Sequence, residues 1–172
     1  MPLASTDVEY RLSGGGSNTD PDAALGGVMS STEITSGSLH NLFDVVSSSE
    51  ASSGDTEYRC FYITNNYAGS PQITAENVTL WIQTVSPSTD TVCAIGLASE
   101  GANGTAATIA NESTAPASVT FTSPTDQGSG LSLGNLAPGQ FYAVWIRRVV
   151  SASASAYTND GPLLRVSFDT AA

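Results

Sequence analysis

The sequence has no lysine: all five basic residues are arginines (Arg11, Arg59, Arg147, Arg148, Arg165), set against sixteen carboxylates and a formal net charge of -11. Phosphate recognition rests on clustered Lys and Arg, so this balance argues against a nucleic-acid partner. It argues equally against an anionic membrane surface. Histidine is nearly absent too. His40 stands alone, and its neighbours Leu39, Asn41 and Leu42 supply neither a nucleophile nor an orienting acid. It reads as an ordinary surface or loop histidine. With one His and two Cys, the donors for a transition-metal site are too few. No apolar run approaches the length needed to span a bilayer. The opening residues, Met1 to Glu9, carry neither a basic nor an apolar leader segment, and the expectation is a chain made and folded in a cytoplasm.

What is present is apolar and neutral. Hydrophobic residues make up 40% of the 172 and charged residues 12%, which favours a folded chain over a disordered one and suits one domain with a real core. No stretch keeps a helical i, i+3, i+4, i+7 apolar stripe; short β-type segments followed by turn clusters recur instead. A first strand is expected at 8–12, strong ones at 57–64, 78–85, 91–98, 141–150 and 162–168, and weaker ones at 107–109, 119–122 and 131–133. The segment 38–46 reads as a strand or a short helical turn, with strand preferred, and 47–54 as a small-residue loop. The loop 86–90 is short enough to join its two flanking strands as an antiparallel hairpin. Residues 1–37 are looser in composition and are expected to form an N-terminal extension or arm with a short strand, leaving 38–172 as the main domain. Spacing and turns together favour an antiparallel β-sandwich, all-β in class.

Several motifs invite a chemical reading and each has a plainer one. Asp20 with Asp22, and Asp55 with Glu57, are the closest carboxylate pairs a glycosidase would use, but both lie in or beside Gly- and Ser-rich stretches where solvated turn residues are commoner. Asp20 and Asp22 lack the acidic spacing and closing glutamate of a calcium loop. Gly14, Gly15 and Gly16 are followed by no lysine and no helix, so they read as a hinge rather than a phosphate loop. The sequons at Asn77, Asn103 and Asn111 are expected by chance in a chain rich in Ser and Thr. Cys60 and Cys93 each sit in an apolar run, where a buried thiol is the leading reading and a disulfide the alternative. Arg147 and Arg148 interrupt an apolar strand and must point to opposite faces, so at least one needs a carboxylate partner or a subunit contact. No catalytic, cofactor-binding or metal-binding residue is assigned.

The run Leu136-Ala137-Pro138-Gly139-Gln140-Phe141-Tyr142-Ala143-Val144-Trp145-Ile146, a leucine, a Pro-Gly turn and a tyrosine opening a strand, resembles the turn before a late strand in fibronectin type III and other immunoglobulin-like sandwiches. The resemblance implies an immunoglobulin-like sandwich whose tyrosine hydroxyl bonds back to the preceding loop; a jelly roll is the alternative. More widely, the segments Glu57-Tyr58-Arg59-Cys60-Phe61-Tyr62, Leu80-Trp81-Ile82-Gln83-Thr84, Ile95-Gly96-Leu97, Leu131-Ser132-Leu133-Gly134-Asn135-Leu136 and Ala143-Val144-Trp145-Ile146-Arg147-Arg148 resemble small virion proteins of tailed bacteriophages. That resemblance implies a structural subunit without enzymatic activity or cofactor.

The function expected from these readings is a capsid decoration or cement protein that binds between coat subunits, associates with copies of itself and ends in the virion after assembly in a host cytoplasm. A neck, tail or baseplate accessory subunit is the alternative within that class. A carbohydrate-binding or host-adhesion module, using Trp81, Trp145 and tyrosines to stack on sugar rings, is the alternative outside it.

Overall fold

The computed structural model describes residues 3–170; the first two and last two positions of the expected arm and main domain lie outside the described residues. Seven strands, β1 (Val8–Leu12), β2 (Asp55–Asn65), β3 (Ala75–Thr84), β4 (Thr91–Ala102), β5 (Leu131–Leu136), β6 (Phe141–Val150) and β7 (Leu163–Thr170), are joined by loops and one short helix, α1 (Ser48–Ser53). They form two antiparallel sheets, ordered β1-β2-β6-β4 and β5-β3-β7. From β3 onward every strand lies in the sheet opposite its predecessor. The arrangement is an all-β, two-sheet sandwich.

Period-two alternation places the core. Phe61 and Ile63 of β2 and Val144 and Ile146 of β6 face Val78, Leu80, Ile82, Leu133 and Leu136 of the other sheet. The intervening residues of the same two strands, Cys60, Tyr62, Ala143 and Trp145, are equally buried, but on the far face of the four-stranded sheet. There the covering comes from irregular chain: Leu25 and Met29 from one loop, Ala106, Ile109, Val119 and Phe121 from another. The fold therefore has three layers, sheet, sheet and a loop layer. Tyr62 ties the third layer down, its hydroxyl donating to Gly27 O at 2.6 Å and accepting from Ala106 N–H at 3.0 Å.

Residues expected to form an extension lie along the body of the sandwich. β1 pairs with β2 over five positions, Leu3, Val8, Leu12 and Ala24 join the inter-sheet core, and Gly27 bridges Ala106. Within the glycine stretch Gly14 is closely packed, at φ +96 with a Cβ there standing 2.3 Å from Ala23 O, while Gly15 and Gly16 face open space.

Four local expectations are corrected. The loop 86–90 does not close a hairpin, because β3 and β4 belong to different sheets; Leu80 and Ile82 meet Cys93 and Ile95 across the core, and alternation alone cannot distinguish strands that pair from strands that face. Residues 38–46 form no regular element; Leu42 and Phe43 are apolar because they plug the core from a loop. Residues 47–54 contain a helix, started by a capping box in which Ser47 Oγ accepts from Glu50 N–H and Glu50 accepts from Ser47 N–H, and stopped by Gly54 at φ +79. The weak strands at 107–109 and 119–122 shrink to single bridges beside them, Gly27 to Ala106 and Ile95 to Thr122.

The Pro-Gly corner is present but is tied differently from the resemblance. No hydrogen bond joins the Tyr142 hydroxyl to the preceding loop among the described residues, and the ring packs toward the inter-sheet core. Asn65 does the tying: its buried amide donates to Leu136 O at 2.8 Å and to Ile73 O at 3.0 Å, while its oxygen accepts from Tyr67 N–H at 3.0 Å. Its backbone carbonyl accepts from Gly139 N–H at 2.7 Å. Removing that amide strands buried carbonyls, so Asn65→Ala is expected to lower unfolding free energy by about 3 kcal/mol in chemical denaturation, and Tyr142→Phe by less than about 0.5 kcal/mol.

Candidate functional site

Charge is scarce in this chain, and a small part of it is placed inside. Glu57 and Arg148 stand directly opposite each other on β2 and β6, and Arg59 lies two residues further along the same face of β2. All three are buried. This end of the sheet is roofed by the loop 38–46 rather than by the opposing sheet.

Arg148 organises the cluster. Its Nε donates to Glu57 Oε2 at 2.6 Å, one terminal nitrogen donates to the backbone carbonyl of Asp44 at 2.8 Å, and the other reaches Asp44 Oδ1 at 3.2 Å. Arg59 turns the other way, donating to Glu112 Oε2 at 2.5 Å with Asp22 Oδ1 at 3.6 Å. Between the two guanidinium groups lies Phe43, its ring centre 4.7 Å from Arg148 Cζ and 5.6 Å from Arg59 Cζ. A ring held between two cations fixes the loop by cation–π attraction as well as by packing.

The site is not fully satisfied. Glu57 Oε1 and Arg59 Nε are buried without a hydrogen-bond partner. Burial pushes the Glu57 carboxyl up to about 7, and Asp44 adds to this, although Arg148 and Arg59 pull the other way. The arrangement joins one loop to two strands by charge and ring contacts; it places no nucleophile beside a base and leaves no open face to a substrate.

The other sequence candidates fall apart in space. Glu57 is not the solvated turn residue expected of it, and its interior pairing with Arg148 separates it from any role with Asp55. Asp20 accepts from Asp22 N–H at 3.0 Å within its own turn, and no group of three or more His, Cys, Asp or Glu is placed to hold a metal among the described residues. His40 is exposed on the loop at φ +54. Cys60 and Cys93 are both free and buried, on opposite faces of the sheet; burial raises both thiols, Cys60 well above its ordinary range. Arg147 and Arg148 do point to opposite faces: Arg147 stacks at 5.2 Å on Phe121 in the loop layer, and Arg148 finds its carboxylates inside the chain. Trp81 and Trp145 are buried, which removes both from a sugar-stacking surface. A hollow of about 210 Å³ lies over Trp145, bordered by Glu100, Ile109, Thr114 and Pro116, below the size of ordinary small-molecule pockets.

What the sequence reading missed is Arg59 with Glu112 and Asp22, and Phe43 with both arginines. A signal existed: an arginine and a glutamate two apart inside an aromatic strand cannot both reach solvent if that face is core.

The raised Glu57 carboxyl sets a sign for pH. Its folded value lies above its ordinary 4.5, so its contribution is fully present below about pH 4.5 and is lost as pH rises through about 7. Glu57→Gln should therefore gain on the wild type by on the order of 2 kcal/mol across that window in denaturant melts. A difference between the two proteins that does not vary with pH would contradict this.

No family model, curated protein or solved structure matches this chain.

Proposed function

We propose that the chain is a non-enzymatic structural subunit of a tailed-phage virion, a decoration protein that sits between coat subunits of the capsid. The observation that carries the reading is the strand order. In immunoglobulin-like sandwiches several consecutive strands stay within one sheet, whereas here only β1 and β2 do, and each strand from β3 to β7 lies in the sheet opposite its predecessor. That alternation, with 119–122 bridging the outer edge of β4 at Ile95, favours the jelly roll over the immunoglobulin-like alternative. Jelly rolls are an architecture of viral shells.

The support is architectural, and two further features fit it. The loop layer clothes a sheet face with backbone that is already hydrogen-bonded, giving a rigid slab. The net charge of -11 keeps a free subunit soluble before it meets a lattice. On a repeating lattice, modest contacts at several edges add to a strong attachment through multivalency.

Quantitative mass spectrometry of virions purified from the phage that encodes the chain tests this. A copy number that is a simple fraction of the major coat protein is expected. A dozen copies or fewer would move the protein to the neck, tail or baseplate, and its absence from the particle would overturn the virion reading.

A further inference from the structure

We infer that β7 is a self-association edge, pairing antiparallel with β7 of a second copy about a two-fold axis through Ser167. The inference is independent of the virion reading.

β7 has β3 on one side and no strand on the other among the described residues. An eight-residue edge whose outward main-chain groups have no strand partner is a template for another strand unless something blocks it. Its free groups can be identified. Ile82 N–H donates to Pro124 O at 2.8 Å, in the row that β5 vacates beyond Leu131. Ile82 therefore bonds away from β7, and its pairing with Leu164 is of the non-hydrogen-bonded kind. By alternation, the N–H and C=O groups of Leu164, Val166 and Phe168 point to the open edge. The Tyr10 hydroxyl, which reaches across the sandwich to accept from Val166 N–H, marks the same direction.

The side chains select the partner and the register. Arg165 is the one arginine with neither an ion pair nor a ring stack among the described residues. Four residues on, Asp169 lies directly opposite Glu76 of β3, a like-charge pair that is unfavourable without a cation. Two-fold antiparallel pairing about Ser167 sets Arg165 against Asp169 of the second copy, twice, and supplies that cation. Val166 and Phe168 then fall opposite each other with their outward main-chain groups matched, and the Phe168 carbonyl of the second copy replaces the Tyr10 hydroxyl. Ser167 itself sits on the axis. A register shifted by one residue would lose both the charge match and the hydrogen-bond match.

Sedimentation equilibrium should show the 17.6 kDa chain moving to twice that mass as concentration rises. Arg165→Glu should weaken the dimer at least tenfold, and adding Asp169→Arg to it should restore the dimer, which a merely folding-related role would not do. Directly opposed residues of this pair type have Cα atoms about 4.5 Å apart, within disulfide reach. Ser167→Cys should therefore cross-link quantitatively on mild oxidation, Arg165→Cys alone should not, and a mixture of Arg165→Cys and Asp169→Cys should. A chain that stays monomeric up to its solubility limit, or a dimer that does not cross-link through position 167, overturns the inference.

Discussion

The four-stranded sheet is apolar on both faces, and most of the structure follows from the need to cover it twice. Phe61, Ile63, Val144 and Ile146 demand one partner layer; Cys60, Tyr62, Ala143 and Trp145 demand another. The first is met by a second sheet in the usual manner of a sandwich. The second is met by loops, which carry main-chain groups that cannot be buried unpaired. They are paired: Ile109 N–H bonds Leu25 O at 3.0 Å, Gly27 N–H bonds Ala106 O at 2.9 Å, and Cys60 N–H bonds Ala24 O at 2.8 Å where β1 has ended. The loops thus act as an irregular third layer, and their length and glycine content serve that layer rather than mobility.

The same economy governs charge. A chain that is 12% charged commits Arg59, Arg148 and Glu57 to the interior, where removing one partner would leave a buried charge uncompensated. Phe43 and Asp44 turn that cluster into an attachment point for a segment with no regular structure of its own. A slab stiffened in this way presents fixed edges, so the attachment proposed above would carry little ordering cost.

Much of the fold was legible in the sequence because strand alternation and turn chemistry are local. β1 and β6 fall on their expected residues, and β2, β3, β4, β5 and β7 overlap theirs. Pairing was less legible: Leu80 and Ile95 read alike whether their strands share a sheet or face across one. The Ser47-to-Glu50 capping box was visible in the residues yet masked by a run of small side chains that suggested loop. Segments 13–34 and 103–125 carried no sustained period beyond the weak strand signals at 107–109 and 119–122, since a loop layer is specified by tertiary contact. Of the arginine cluster, the opposed directions of Arg147 and Arg148 could be read, but the identities of Glu57, Asp44 and Phe43 as partners depend on a register and a loop path that no local pattern encodes.

Native-state hydrogen exchange tests the claim that the loop layer is part of the core. The account predicts that the amides of Gly27, Ala106 and Ile109 exchange only with global unfolding, at the same free energy as Cys60 and Trp145 in the central strands. Exchange of those loop amides through a separate, low-energy opening while β2 and β6 stay protected would contradict it.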